Sequence, residues 1–334
     1  MVVAASMSGP PYSRPFPKVV RIEPAGACNL RCVHCPTGTV SMARGIMRGD
    51  VFDRVMAGIE KNLGRVKVVV LYHGGEPLLN KGFFDMVRRV KGLGVPFVKT
   101  VTNGALLDEK AVGQVLDAGI DALEVSLDGT SAAESNRIRR GSDFVAIADH
   151  FAALLRAKRE RRTNRPDLFL STTQFLDPAR WSPGLKPTPP AHLIQRFLEF
   201  QGEFSFKVTW AMEWPHMEID HETFDVFPDP FVTEDTPYCD MVENTVTVRW
   251  NGDVVACCYD LTSQLVMGNV LQDDLETIWN APSYLGLRGG IATRHYPGIC
   301  DNCNVVKPPK YLVLKSPLGD TTLHDGKSVS QTVP

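Results

Sequence analysis

Residues 24–36 read Pro24-Ala-Gly-Ala-Cys28-Asn-Leu-Arg-Cys32-Val-His-Cys35-Pro36, directly after the β-branched run Val19-Val20-Arg21-Ile22-Glu23. Three thiols on one short loop, at the end of a predicted strand, form a compact trio with no other cysteine until Cys239. A disulfide framework would scatter its members along the chain. A structural zinc site usually takes four protein ligands, so a trio implies a metal site with one position left open for chemistry.

Outward from this loop, residues 18–210 alternate short apolar, β-branched runs with helical periodicity, the pattern of successive βα units around a parallel sheet. Six strands are expected, over Val19–Glu23, Val66–Tyr72, Phe97–Val101, Ala122–Leu127, Leu168–Phe175 and Phe206–Trp210. Between them lie helices such as the one with Phe52, Val55, Met56, Ile59 and Leu63 on one face. Six such units make an incomplete barrel or an open doubly wound sheet. In both, ligands collect beyond the carboxyl ends of the strands. The loops there are Pro24–Pro36, then His73-Gly74-Gly75-Glu76-Pro77, then Thr102-Asn103-Gly104, then Ser126-Leu-Asp128-Gly129, each rich in glycine or small polar residues.

A second cysteine group comprises Cys239, Cys257, Cys258, Cys300 and Cys303. Asn251-Gly252 is a strong hairpin turn between alternating strands and would bring Cys239 and Cys257 together. Asp274–Trp279 reads as a short helix, and Cys300-x-x-Cys303 closes the set. Cys239, Cys257, Cys300 and Cys303 make a complete four-ligand site, with Cys258 as the spare thiol or in exchange with its neighbour Cys257.

The chain has 334 residues, 43 % hydrophobic and 22 % charged, with a formal net charge of -2. This is an ordinary globular composition that gives no overall reason to expect nucleic acid or a membrane as partner. No stretch approaches the roughly 20 apolar residues of a spanning helix, and a cytoplasmic location is expected. The basic run Arg156–Arg165 reads as the exposed end of the helix carrying Phe144, Ile147, Phe151 and Leu155.

Cys28-x-x-x-Cys32-x-x-Cys35 with His34 in its midst, followed after the second strand by Gly74-Gly75-Glu76-Pro77, resembles the signature of the radical SAM superfamily. The region 236–305, including Asn251–Asp260 and Met267–Asn280, resembles the SPASM and shorter twitch domains of that superfamily. The resemblance implies an α/β fold: a partial (β/α)6 radical SAM barrel over 18–212 with a small C-terminal β-hairpin-plus-helix domain over 236–305. Residues 1–17 would be a flexible N-terminus, 213–235 an acidic linker and 306–334 a tail, mobile beyond about 318.

It also implies that Cys28, Cys32 and Cys35 hold a 4Fe-4S cluster whose fourth iron is chelated by S-adenosylmethionine (SAM), soft sulfur suiting iron–sulfur binding. In this family an electron from the cluster cleaves SAM to a 5′-deoxyadenosyl radical. Glu76 would accept the methionyl ammonium, with Gly74, Gly75 and Pro77 shaping its loop. Thr102, Asn103, Ser126 and Asp128 match the ribose- and carboxylate-facing loops. His34 takes the place of the usual aromatic ring. Arg139, within Arg137-Ile-Arg-Arg140-Gly141, matches a carboxylate-binding arginine. Cys239, Cys257, Cys300 and Cys303 would hold one auxiliary 4Fe-4S cluster, as in a twitch domain, and the electron donor would be a flavodoxin or ferredoxin.

Lys207, Glu213 and His216, at or after the sixth strand, are candidates for substrate contact or proton transfer. Residues 211–248 carry ten acidic side chains and no Lys or Arg, which would favour an aminated or cationic substrate if they face the cavity mouth. The five-proline loop Asp177–His192 would wall that cavity. The reading is hydrogen abstraction from a sugar, aminocyclitol or nucleoside-like metabolite. Dehydrogenation, decarboxylation or epimerisation would follow. SPASM-type modification of a ribosomally made peptide is the alternative, disfavoured by the lack of an extra N-terminal domain. A non-enzymatic iron–sulfur protein fits poorly with an open three-cysteine site and Glu76.

Overall fold

The structure, a computed structural model, describes residues 10–315. All six expected strands form: β1 Val19–Ile22, β2 Val68–Val70, β3 Phe97–Thr102, β4 Ala122–Ser126, β5 Asp167–Gln174 and β6 Ser205–Trp210. They pair in sequence order and all parallel, with register Val19↔Val68, Val68↔Phe97, Lys99↔Ala122, Ala122↔Asp167 and Phe169↔Ser205. This is the incomplete barrel.

The period-2 alternation of a strand decides what faces each way. Val20, Ile22, Val98, Leu123, Val125 and Leu170 are buried against the outer helices. Alternate positions of the same sheet, Arg21, Val101, Glu124, Ser126, Ser171 and Lys207, line the concave side. The helical layer is amphipathic as expected: Gly49–Lys61 buries Val51, Phe52, Val55, Met56 and Ile59, and Phe144–Glu160 buries Phe144, Ile147, Phe151 and Leu155. The basic end of the latter is neutralised at the surface, Arg156 and Arg159 pairing with Glu199 and Glu203 and Arg161 with Asp117.

The C-terminal region differs from a separate appended domain. β7 Thr245–Val248 lies parallel to β1, with Val19↔Thr245 and Ile22↔Val248. β8 Asp253–Val255 and β9 Val266–Asn269 add antiparallel beyond it, giving one nine-stranded sheet. The hairpin turns at Gly252, whose φ of +91° is open to glycine at little cost. The short helix Leu275–Trp279 starts at Asp274, which accepts from Thr277 N at 2.8 Å.

Three expectations about connectors are revised. Within the N-terminal segment, Phe16 is buried and Trp279 Nε1 donates to Pro15 O at 2.9 Å, so residues 10–17 pack on the C-terminal helices. Phe224–Pro228, in the expected linker, pairs antiparallel with Lys310–Leu314, in the expected tail. Third, four of the ten acidic side chains are met by cations brought from elsewhere, Glu213 by Lys310, Asp225 by Lys315, Asp235 by Lys307 and Glu243 by Arg14. The mobility expected beyond about 318 lies outside the described residues.

Candidate active site

A cavity of about 490 Å³ opens at the carboxyl ends of the barrel strands, between the Cys28–Cys35 loop and the C-terminal region. Cys28, Cys32 and Cys35 line one side, all with free thiols. Polar groups crowd these sulfurs: Leu30 N lies 3.5 Å and Asn103 Nδ2 3.8 Å from Cys28 Sγ, and Arg139 Nη1 lies 3.9 Å from Cys32 Sγ. Burial pushes the Cys32 thiol up to about 12, against the pull of the Arg139 guanidinium. A bound cationic group would reverse that balance and hold the sulfur as thiolate.

The glycine motif sits where the backbone is tightest. A Cβ on Gly75 would stand 2.2 Å from Ala25 O and 2.3 Å from Ala27 O, so only glycine fits against the cluster loop. Glu76 beside it is buried, and its carboxylate accepts from Thr102 Oγ1 at 2.8 Å, Asn103 N at 2.8 Å and Leu78 N at 3.1 Å. Burial raises its pKa above the usual carboxylate range while these donors lower it. Gly74 N donates at 2.9 Å to Glu23 Oε1.

Asp128 does not line the cavity. It is fully buried behind it, 2.8 Å from Arg139 Nε and 3.5 Å from His34 Nε2, and accepts from Thr173 N at 2.7 Å. It therefore aims Arg139 at the cavity and backs His34, which burial pulls down to about 4 and so keeps neutral. Of the three neighbouring arginines, Arg139 alone is buried and lines the cavity, while Arg140 is exposed. Ser126 lines it too, and Pro77 opens the short turn behind Glu76.

On the far wall Lys207 Nζ meets Glu124 Oε2 at 2.8 Å, and Lys99 Nζ meets Glu124 Oε1 at 3.0 Å. The structure brings Lys207 to the cavity but not Glu213 or His216. Glu213 turns to Lys310 at 3.3 Å, and His216 is exposed on a residue with φ +56°. The Asp177–His192 loop stands behind the wall, Trp181 packing on Trp210 at 6.2 Å. Trp214 and Tyr259, with rings 5.1 Å apart, complete the lining from the C-terminal side.

Cys239, Cys257, Cys300 and Cys303 are all buried, and burial raises the pKa of every one of them. Burial pushes Cys300 up to about 12 and Cys303 to about 11. Cys258 lines the cavity, and it lies near enough to Cys239, Cys257 and Cys303 to raise their pKa values. Three soft thiols facing a cavity beside a buried carboxylate fit an open cluster with SAM, and four thiols enclosed in the fold fit a closed one. Among the described residues no three His, Cys, Asp or Glu close around a single ion.

Sequence reasoning missed the buried set Glu23, His73 and Arg249. Glu23 Oε2 accepts from Arg249 Nε at 2.9 Å and Trp250 N at 3.2 Å, and His73 Nδ1 lies 3.4 Å from Oε1. These partners hold the Glu23 carboxyl down at about 2 despite burial. A charged residue closing an apolar strand just before the cysteine loop was the available signal.

Residues 22–173 match the family model of the radical SAM superfamily, and residues 239–304 match SPASM, an iron–sulfur cluster-binding domain. The chain is 25 % identical over 318 residues to the tungsten-containing aldehyde ferredoxin oxidoreductase cofactor-modifying protein of Pyrococcus furiosus, covering 86 % of this chain and 87 % of that one. Among solved structures it resembles BtrN in complex with AdoMet and 2-DOIA, with TM-score 0.53 and 18 % identity over 87 % of this chain and 94 % of that one. It also resembles Streptococcus suis SuiB bound to precursor peptide SuiA, with TM-score 0.57 and 15 % identity over 82 % and 67 %. At such identities the structural likeness establishes the fold. No helix among the described residues is long and apolar enough to cross a membrane.

Proposed function

This chain belongs to the radical SAM superfamily and carries a C-terminal SPASM domain, and from that premise we propose that it abstracts a hydrogen atom from a small polar metabolite and dehydrogenates it. The observation that carries this reading is the cavity itself. About 490 Å³ lies between the open thiol trio and the C-terminal region, space that the cluster, SAM and a substrate would share, which leaves room for a small substrate lined by hydroxyl and charged side chains. When bound at Cys28, Cys32 and Cys35, the cluster and SAM supply the 5′-deoxyadenosyl radical. A cluster at Cys239, Cys257, Cys300 and Cys303 would take up the second electron of the oxidation.

The chain's own residues bind and orient. Glu76, its carboxylate fixed by Thr102, Asn103 and Leu78, receives the methionyl ammonium, and Arg139, fixed by Asp128, receives the methionyl carboxylate. Asn103 Nδ2 donates at 2.8 Å to Asn29 Oδ1, which pins the cluster loop to the third strand's loop. Ser126, Ser171, Thr173 and Lys207 offer polar contacts to substrate across the cavity. A flavodoxin or ferredoxin would deliver the initiating electron, in a cytoplasmic setting.

The test uses the anaerobically reconstituted, reduced protein with unlabelled SAM and a fully deuterated cell extract split into small-molecule and polypeptide fractions. Deuterium in 5′-deoxyadenosine is expected with the small-molecule fraction alone. Deuterium from the polypeptide fraction alone would replace this reading with peptide modification.

A further inference from the structure

Each cation of the concave wall but one has a protein carboxylate. Arg139 has Asp128 at 2.8 Å, and Lys207 and Lys99 share Glu124 at 2.8 and 3.0 Å. Arg21 has none among the described residues. It projects from the middle of β1 into the cavity, its Nε buried without a hydrogen-bond partner. Its Nη1 reaches only Tyr72 O at 3.4 Å, and the guanidinium lies over the Tyr72 ring at 4.9 Å. An aromatic face and one long backbone contact leave most of its five donors unused.

Burying a charge without a counter-charge is costly, and a fork of donors turned into a cavity is the arrangement that recognises oxyanions in bidentate fashion. The two lysines around Glu124 leave a further surplus of positive charge. Glu76 is the one carboxylate of the lining outside such a pair, and it is committed to the SAM ammonium. The acidic segment 211–248 contributes Ala211, Met212 and Trp214 to the lining, and none of its carboxylates.

We propose that the substrate carries an oxyanion, a carboxylate or a phosphate, which Arg21 binds on the side of the cavity next to Cys258. This rests on the small-metabolite reading above and narrows it. It also reverses the expectation, drawn from the acidic segment, of a cationic substrate.

The test takes the anaerobically reconstituted full-length protein with SAM bound. Inorganic phosphate and, separately, succinate are titrated calorimetrically into wild type, Arg21→Gln and Arg21→Lys. Iron content and SAM affinity are measured on each. Saturable binding of one probe, weakened at least about tenfold in Arg21→Gln and partly restored in Arg21→Lys with iron and SAM affinity unchanged, supports the assignment. The probe that binds names the group.

Binding that is equal in Arg21→Gln, or absent for both probes in wild type, overturns it. So does Arg21→Gln losing SAM affinity or iron, since Arg21 would then serve SAM or a cluster. Formation of 5′-deoxyadenosine by reduced wild type keeps the two claims apart. If it forms, loss of the anion result removes this inference alone, and if it does not, the functional reading falls first.

Discussion

The two thiol sites are made of the same ligand and built oppositely. The N-terminal trio sits on a loop at a strand end, half-buried, beside glycines and a cavity. The C-terminal four are buried in the same hydrophobic core as Val242, Tyr284 and Ile299. Exposure leaves the first site able to admit a ligand, whereas enclosure leaves the second able to hold charge but not substrate. The sheet that runs through both regions puts them on one rigid frame, and Glu23 is the joint. One of its oxygens holds the Gly74 amide of the SAM loop, and the other holds Arg249 and Trp250 of the C-terminal region.

The largest effect expected is from breaking that joint. Arg249→Met takes the guanidinium from the buried Glu23 carboxylate and leaves it His73 and two backbone amides, and should cost about 3 kcal/mol in thermal or denaturant unfolding. An unchanged midpoint would mean that the two regions are not held together here. The same carboxyl predicts a pH limb. Its folded pKa is about 2 against an ordinary 4.5. Its stabilisation is therefore complete above about pH 4.5 and is lost as pH falls toward 2, on the order of 3 kcal/mol in all. In Glu23→Gln that part of the acid limb should be flat.

A smaller effect sharpens the open side. Glu76→Gln removes the charge that we propose receives the methionyl ammonium, and one acceptor for Thr102 or Asn103. SAM affinity should fall by about 1.5–3 kcal/mol, read by equilibrium binding to the reconstituted protein. The same substitution should leave the iron content of the closed side as it was. The smallest effect separates neighbours on the chain. Cys258→Ser should keep the full iron content, because Cys258 faces the cavity, whereas Cys257→Ser should lose about four irons. Equal losses would place both thiols at the closed site.

Much of this was legible in the sequence, for reasons specific to the residues. The six strands could be read because they are short β-branched runs separated by helical periodicity. The first thiol group could be read because its spacing is local, and the second because a hairpin turn and a closing Cys300-x-x-Cys303 pair bring its members together. Asn251-Gly252 announced its turn by the conformation it needs. The junction could not be read. Glu23 and Arg249 are 226 residues apart, and the parallel pairing of Val19 with Thr245 leaves no periodic trace in either segment. Where the acidic run 211–248 points could not be read, because composition gives charge but not direction, and the lysines that meet three of its carboxylates, Lys307, Lys310 and Lys315, lie further along the chain. Arg21 was hidden for a similar reason, since one cation in an apolar strand looks the same whether or not it finds a carboxylate.

The most direct test of the open-and-closed account compares wild type, Cys32→Ala and Cys300→Ala after anaerobic reconstitution with iron and sulfide. Iron is counted, and 5′-deoxyadenosine is measured from SAM with dithionite. The account predicts about eight irons in wild type, about four lost in each variant, and cleavage abolished in Cys32→Ala alone. Cleavage surviving in Cys32→Ala, or wild type taking up zinc and cleaving no SAM, would contradict it.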